Sequence, residues 1–330
     1  MLRAFLVTLS SVLFLSACGG SSYSPPPPPV SPPPPPGGAT GLVITTANAK
    51  PAARVAYGST LQSVETGGLV GSSGIAGSPG GGFQKPGAQG ASPGALSGIL
   101  QKIPLGPDTY DCGVGGTQTI SGDLASLFTL TVGDQINVDA VDCDDGLGEV
   151  INGRMEMTVA TFSGDLLLGL YLLEMNVLLI DFEVATAIDT VLSNGDSLVS
   201  LDTTGNPIIG MSISGNSMTT VTNAGSESVT NFSTAQTVDA SVVPEPYTLA
   251  ASGTVDSSQL TGIISFTSPV TFQGAGAGYP FAGELLITGA DGGTIRLIAL
   301  DAINVRIETD TNGDGMVDAT EDTTWDDVAQ

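Results

Sequence analysis

The chain of 330 residues contains no histidine. Without imidazole, Ser-His-Asp and Cys-His catalysis, imidazole proton relays and His-bound zinc are excluded. Cations are scarce too: 8 Lys+Arg stand against 33 Asp+Glu, for a net charge of -25. Nucleic acid and anionic lipid headgroups both demand basic patches, so neither is an expected partner. Aromatic residues make up 5 %, with one Trp. That is too few for the interfacial girdles of a transmembrane barrel and leaves little sugar-stacking surface. Charged residues are only 12 % while Gly numbers 45, which separates the chain from charge-rich disordered acidic sequences.

The scarcity of cations is uneven. Residues 1–102 hold Arg3, Lys50, Arg54, Lys85 and Lys102 against one acid, Glu65. The other 32 acids face three arginines, Arg154, Arg296 and Arg306, giving residues 103–330 a net charge of -29. The acidic field therefore belongs to the second part of the chain.

Residues 1–17 form a short leader. Arg3 and the amino terminus make it positive, and Ala4–Leu15 is apolar but too short to span a bilayer comfortably, so a signal peptide fits. Leu15-Ser16-Ala17-Cys18 resembles the lipobox of bacterial lipoproteins. The resemblance implies a diacylglycerol on Cys18 and three acyl chains on the mature terminus, enough for stable anchoring. Gly19 stands where inner-membrane retention is associated with Asp, so it also implies the outer membrane. The membrane, reached through this lipid anchor, is thus an expected partner. Pro25–Pro29 and Pro32–Pro36 follow within residues 18–42, and polyproline II there makes a spacer of roughly 35–40 Å.

Residues 43–105 divide in two. A helix is predicted within Val43–Glu65, with Pro51 at its first position behind Lys50 or Asn48. The Gly- and Pro-rich run from Gly67 to Gly98 predicts a long mobile loop, followed by a short helix over Ala95–Lys102.

From residue 106 the pattern changes to period two, first in Arg154–Val159 and then in Ile208–Ser214, Ser217–Thr222, Ser226–Phe232, Thr248–Val255 and Gly262–Thr267. Gly283–Thr288, Thr294–Leu300 and Asn304–Thr309 continue it. Gly215-Asn216, Asn223-Ala224-Gly225 and Ala290–Gly293 read as turns. Leu166–Val184 is one buried helix or two interior strands, and its period-two leucines favour strands. The expected fold class is mainly β: a large antiparallel meander sheet curling into a sandwich or open barrel, with one or two short N-terminal helices. With Cys18 assigned to lipid, Cys112 and Cys143 are expected to pair in an oxidising compartment.

Residues 310–321 resemble the calcium loop of EF-hand and dockerin proteins. Asp310, Asn312 and Asp314 match positions 1, 3 and 5, with Gly315 at the sharp turn. The Met316 carbonyl, Asp318 and Glu321 match positions 7, 9 and 12. The flanks read as strands instead of helices, so the resemblance implies calcium as a structural clip. A looser cluster, Asp139, Asp142, Asp144 and Asp145, reads as a solvated loop. Gly195-Asp196-Ser197-Leu198 spells an esterase signature, but that mechanism needs histidine; a turn into a strand explains it. Gly274–Gly278 lacks a strand-to-helix context and reads as a linker.

Tyr279–Gly289, Leu300-Asp301, Asp310–Gly315 and the Cys112…Cys143 region with Asn152-Gly153 together resemble uncharacterised proteobacterial β-rich lipoproteins. That resemblance implies no mechanism. The function expected is non-enzymatic: an outer-membrane lipoprotein whose calcium-stabilised β domain binds an envelope protein or glycan, or has a structural role. A surface adhesin or carbohydrate-binding module is the alternative, and a histidine-independent glycoside hydrolase using paired carboxylates is a third.

Overall fold

The computed structural model describes residues 40–71, 106–124, 130–144, 146, 149–165, 168–187 and 190–329, with side chains 63–71 left aside. The leader, Cys18, the proline tether, the Gly-rich segment from residue 72 on and the helix expected at Ala95–Lys102 lie outside the described residues; residues 67–71, expected to open the loop, are instead the end of a helix.

Fourteen strands follow one another in sequence and in space, each antiparallel to the last. The first five are β1 (Asp108–Asp111), β2 (Gly115–Asp123), β3 (Gln135–Asp144), β4 (Glu149–Asp165) and β5 (Leu170–Thr186). The middle of the sheet is β6 (Thr190–Asp202), β7 (Ile208–Thr222), β8 (Gly225–Asp239), β9 (Pro246–Ser257) and β10 (Ile264–Ala275). It ends with β11 (Ala282–Thr288), β12 (Thr294–Ala299), β13 (Asn304–Asp310) and β14 (Ala319–Thr324). β1 and β14 are the two free edges, so the meander is open. In β9 burial alternates residue by residue, Tyr247, Leu249, Ala251 and Val255 pointing inward, as a sheet with one covered face requires.

Two expected turns are instead strand interior. Gly215-Asn216 lies inside β7 and Gly195-Asp196 inside β6, at shifts of the ladder register. The apolar run Leu166–Val184 yields a turn at 168–169 and the greater part of one long strand, β5. The turns at Asn223–Ala224 and Ala290–Gly293 are where the sequence places them.

Over β6 to β13 the inner face is covered by a helix, α1 (Ala49–Gly71), 23 residues long. It starts two residues before Pro51. Asn48 precedes it: the Thr45 amide donates to Asn48 Oδ1 at 2.8 Å, and the Ala52 amide to the Asn48 carbonyl at 2.9 Å. Pro51 sits in the first turn, where a missing N–H costs nothing. The helix touches every strand from β6 to β13. At 1.5 Å per residue α1 is about 34 Å long, and eight strands spaced about 4.8 Å apart span the same distance. It therefore lies across the strands. Successive contacts agree: Lys50 reaches Glu321 on β14, Tyr57 packs on Phe272 of β10, Ser59 meets Glu227 on β8 and Gln62 meets Thr220 on β7.

The small residues Ala52, Ala53 and Ala56 are fully buried, letting the helix backbone approach the sheet closely. Tyr57 is buried against Trp325, the centroids 4.8 Å apart, and Phe272 and Tyr279 complete the cluster. Trp325 opens a second, short helix, α2 (Trp325–Val328), where the sequence suggests extended chain. Its indole N–H lies 3.0 Å from the Pro280 carbonyl and 3.1 Å from that of Asp301. The single Trp is thus core, clamping the last turn onto α1.

Cys112 and Cys143 are joined, with Cα atoms 5.3 Å apart. The bond ties the β1–β2 connection to β3 and secures the free edge β1. It closes a 31-residue separation, for which chain entropy gives about 3–4 kcal/mol. Cys143→Ser should lower unfolding stability by about that amount, read by denaturant titration, with β1 amides losing exchange protection first.

One buried acid interrupts the helix–sheet contact. Burial holds the Glu227 carboxyl above its ordinary range, against opposing hydrogen bonds from Ser257 and Ser59. Both are long, 3.4 Å, and Ser59 Oγ stands closer, 2.9 Å, to the Val55 carbonyl. Because the folded chain binds this proton more tightly than the unfolded chain, the protonated form is favoured, and stability is lost as pH rises from the unfolded to the folded pKa. Glu227→Gln should therefore melt higher than the parent at neutral pH. The gap should close as pH falls toward 4, measured by melting temperature across a pH series.

Candidate functional site

The hairpin between β13 and β14 carries the acidic loop. Asp310 ends β13, and each donor after it folds the backbone locally. Asp310 Oδ1 accepts from the Asn312 and Gly313 amides at 3.2 and 2.8 Å, and its Oδ2 from the Gly315 amide at 2.8 Å. Asn312 Oδ1 accepts from Asp314 N and Asp314 Oδ1 from Met316 N, at 2.9 and 2.8 Å. Gly313 and Gly315 have φ of 73° and 84°, the left-handed conformation such tight turns need. Asp318 Oδ2 accepts from the Thr311 hydroxyl and amide, and these bonds hold its carboxyl below the usual range.

Asp310, Asn312, Asp314, Met316 and Asp318 therefore share one loop. Glu321 does not. It sits within β14 opposite Ile307, and its carboxylate lies 3.2 Å from the Lys50 ammonium of α1. The loop offers hard oxygen donors, the right chemistry for calcium. Among the described residues, however, no three acidic or cysteine side chains converge tightly enough for a metal cage.

The looser acidic cluster is dispersed. Asp139 pairs with Arg154, Asp144 Oδ1 accepts from the Gly146 amide, and Asp142 adopts a φ of 48° at a bulge; Asp145 lies outside the described residues. That bulge belongs to a repeated device invisible to strand periodicity. The Asp142 amide donates to Asn152 Oδ1, and the Asp181 amide, at φ 46°, donates to Asn194 Oδ1, both at 2.7 Å. Each Asn is followed by a glycine. A Cβ on Gly153 would stand 2.0 Å from the Asp181 carbonyl oxygen, so only glycine allows that approach. Two Asn-Gly pairs, Asn152-Gly153 and Asn194-Gly195, are the sequence signal for these bulges.

Along this bulged zone the face turned away from α1 carries a groove of about 590 Å³, lined by residues of β4 to β8. The register puts Thr158, Asn176, Leu198 and Ser214 in one row across four strands. Glu156, Leu178, Asp196 and Ser217 form the next row on the same face. Glu156 accepts from Arg154 at 2.8 Å. The esterase-like Asp196-Ser197 lies in this groove as strand residues.

The connections separate into two rims. On one, the chain runs from β2 to β3, β4 to β5, β6 to β7, β8 to β9, β10 to β11 and β12 to β13. Each of these six places at least one exposed large apolar side chain at or beside its tip. In chain order they are Val132, Leu168, Ile208, Val243, Phe281 and Ile303; Val243 is 85 % and Leu168 71 % exposed. The tips are held by aspartate caps: Asp165, Asp202, Asp239 and Asp301 each accept a backbone amide two or three residues on. No connection on this rim contains Lys or Arg. On the opposite rim Val43, Val114, Val141, Val221, Met316 and Val317 are exposed at or near the strand ends among the described residues, but not at every connection. There the described chain begins, Gly41 bridging Ile263 and Val43 bridging Ala290. Strand periodicity conceals these tips, because turn residues lie outside its pattern.

Among the described residues no helix is long and apolar enough to cross a membrane. No protein-family model, no curated protein and no solved structure matches this chain.

Proposed function

We propose that this chain is a lipid-anchored outer-membrane protein whose β domain presents the apolar rim to an envelope protein, without catalysis of its own. The observation that carries the reading is that all six connections of the rim opposite Gly41 and Val43, where the chain arrives from the lipobox and tether, carry an exposed apolar side chain. A domain tethered at one end and apolar at the other directs that apolar surface away from its own membrane. Six apolar tips, four with acidic caps and none with a cation, fit a partner with an apolar centre and basic surroundings.

The test compares the parent, Cys18→Ser and Phe281→Ser/Ile303→Ser in cells by chemical crosslinking. Cys18→Ser should free the protein from membranes; membrane retention of that variant would overturn the anchor. The double variant should stay anchored but lose its crosslinked protein adduct, and an adduct of unchanged yield would overturn the rim.

Calcium enters the same reading as a clip on the chain-arrival rim. Asp310, Asn312, Asp314 and Asp318, with the Met316 carbonyl, are the proposed donors, and drawing three carboxylates of one loop together is what the ion would contribute. Glu321, paired with Lys50, stands outside this proposed set. Saturating calcium should raise the melting temperature and EDTA should reverse it. At 100-fold excess over Kd, linkage gives about 2.7 kcal/mol. Asp310→Asn should abolish the shift while Glu321→Gln preserves it; a calorimetric scan indifferent to calcium removes the metal.

A further inference from the structure

The flank groove belongs to neither the apolar rim nor the acidic loop. Its shape follows from the bulges. Asp196 pairs with Ser217 and Leu198 with Ser214, so β7 carries extra chain, Gly215-Asn216, opposite one residue of β6. On the next strand Gly215 pairs with Phe232 and Ser217 with Thr230, setting Asn216 opposite Asn231, whose φ is 48°. Bulges bend and twist the sheet locally, and here they hollow the outer face. At about 590 Å³ the hollow has the size of small-molecule sites.

Its polar side chains are uncommitted. In the groove, Asn176, Asp196, Ser214, Asn216 and Asn231 take no part in any side-chain hydrogen bond among the described residues. Five such groups on one sheet face offer amide, hydroxyl and carboxylate partners to a ligand. Glu156 and Asp196 flank Leu178 in one cross-strand row, their Cα atoms about 10 Å apart from two strand spacings. The Leu178 side chain, 39 % exposed, offers an aliphatic floor between them. The carboxylates repel anions. Amides and hydroxyls on both walls suit a ligand carrying many hydroxyls, and Asp196, with no cation beside it, suits an ammonium.

We propose that this groove binds an amino-sugar oligosaccharide, its ring C–H face on Leu178, its hydroxyls on Asn176, Ser214, Asn216 and Asn231, and its amine on Asp196. The aromatic residue that lines the groove, Phe232, is buried, so the affinity rests on hydrogen bonds and the Asp196 charge.

Isothermal titration of the full mature chain in detergent tests this with three probes: a glucosamine hexamer, a neutral glucose hexamer and spermidine. The glucosamine hexamer should bind, the glucose hexamer more weakly, and spermidine not at this site. Asp196→Asn should weaken the hexamer roughly tenfold, as loss of a charge-assisted hydrogen bond predicts. Asn216→Ala, remote from the amine, should weaken both sugars equally. Glu321→Gln, outside the groove, should change nothing. The proposal is overturned if neither sugar binds, if spermidine competes with equal effect, or if Asp196→Asn and Asn216→Ala both bind like the parent. The crosslinking pattern of the rim is a separate readout, so either reading can fail alone.

Discussion

The structure depends on α1 lying across the sheet. An open meander of fourteen strands has a long apolar inner face and no second sheet supplied in sequence to cover it. The helix covers the part of it formed by β6 to β13, because its span matches the width of those eight strands. Alanines at 52, 53 and 56 permit close approach, and Tyr57 fills the remaining depth against Phe272 and Trp325. Lys50 and Arg54, the cations of this segment, meet the acidic C-terminal stretch: Lys50 at Glu321 and Asp327, Arg54 at the Asp327 carbonyl. The helix thus joins the N-terminal part of the domain to its last strand.

A second constraint is curvature. Wide antiparallel sheets must twist or curl, and here the bend is built from bulges, with Asp142 and Asp181 in the left-handed region and glycines at 116 and 153 allowing the opposing carbonyls to approach. Inside the curve this closes the sheet around α1; outside it opens a hollow. The groove and the core therefore have a common origin.

The acidity serves several purposes at once. Arg154, Arg296 and Arg306 each hold carboxylates on neighbouring strands, Arg296 bridging Glu284 and Glu308 at 2.7 and 3.0 Å. Exposed pairs of this kind contribute little each. More of the aspartates act as turn caps, accepting amides that hairpin ends leave unpaired. A net charge of -25 is in part the composition of a protein with many tight turns.

Period-two burial, the mainly β class, the hairpin turns at Asn223–Ala224 and Ala290–Gly293 and the Cys112–Cys143 pair were all legible in the sequence, because each depends on neighbours along the chain or on chemistry with few alternatives. Gly215-Asn216 was misleading. The same dipeptide suits a turn or a bulge, and the choice depends on the strands hydrogen-bonded on either side. The calcium-like spacing of Asp310–Glu321 is local, but whether Glu321 faces the loop is decided by Lys50, 271 residues away in sequence. The sequence by itself determined strand character, the turns at Asn223–Ala224 and Ala290–Gly293 and the acidic, histidine-free chemistry, all set by local backbone preference and composition. Tertiary structure alone decided that Trp325 is core, that six connections with apolar tips share one rim and that uncommitted polar groups share one groove, because strand pairing across the sheet brings those residues together.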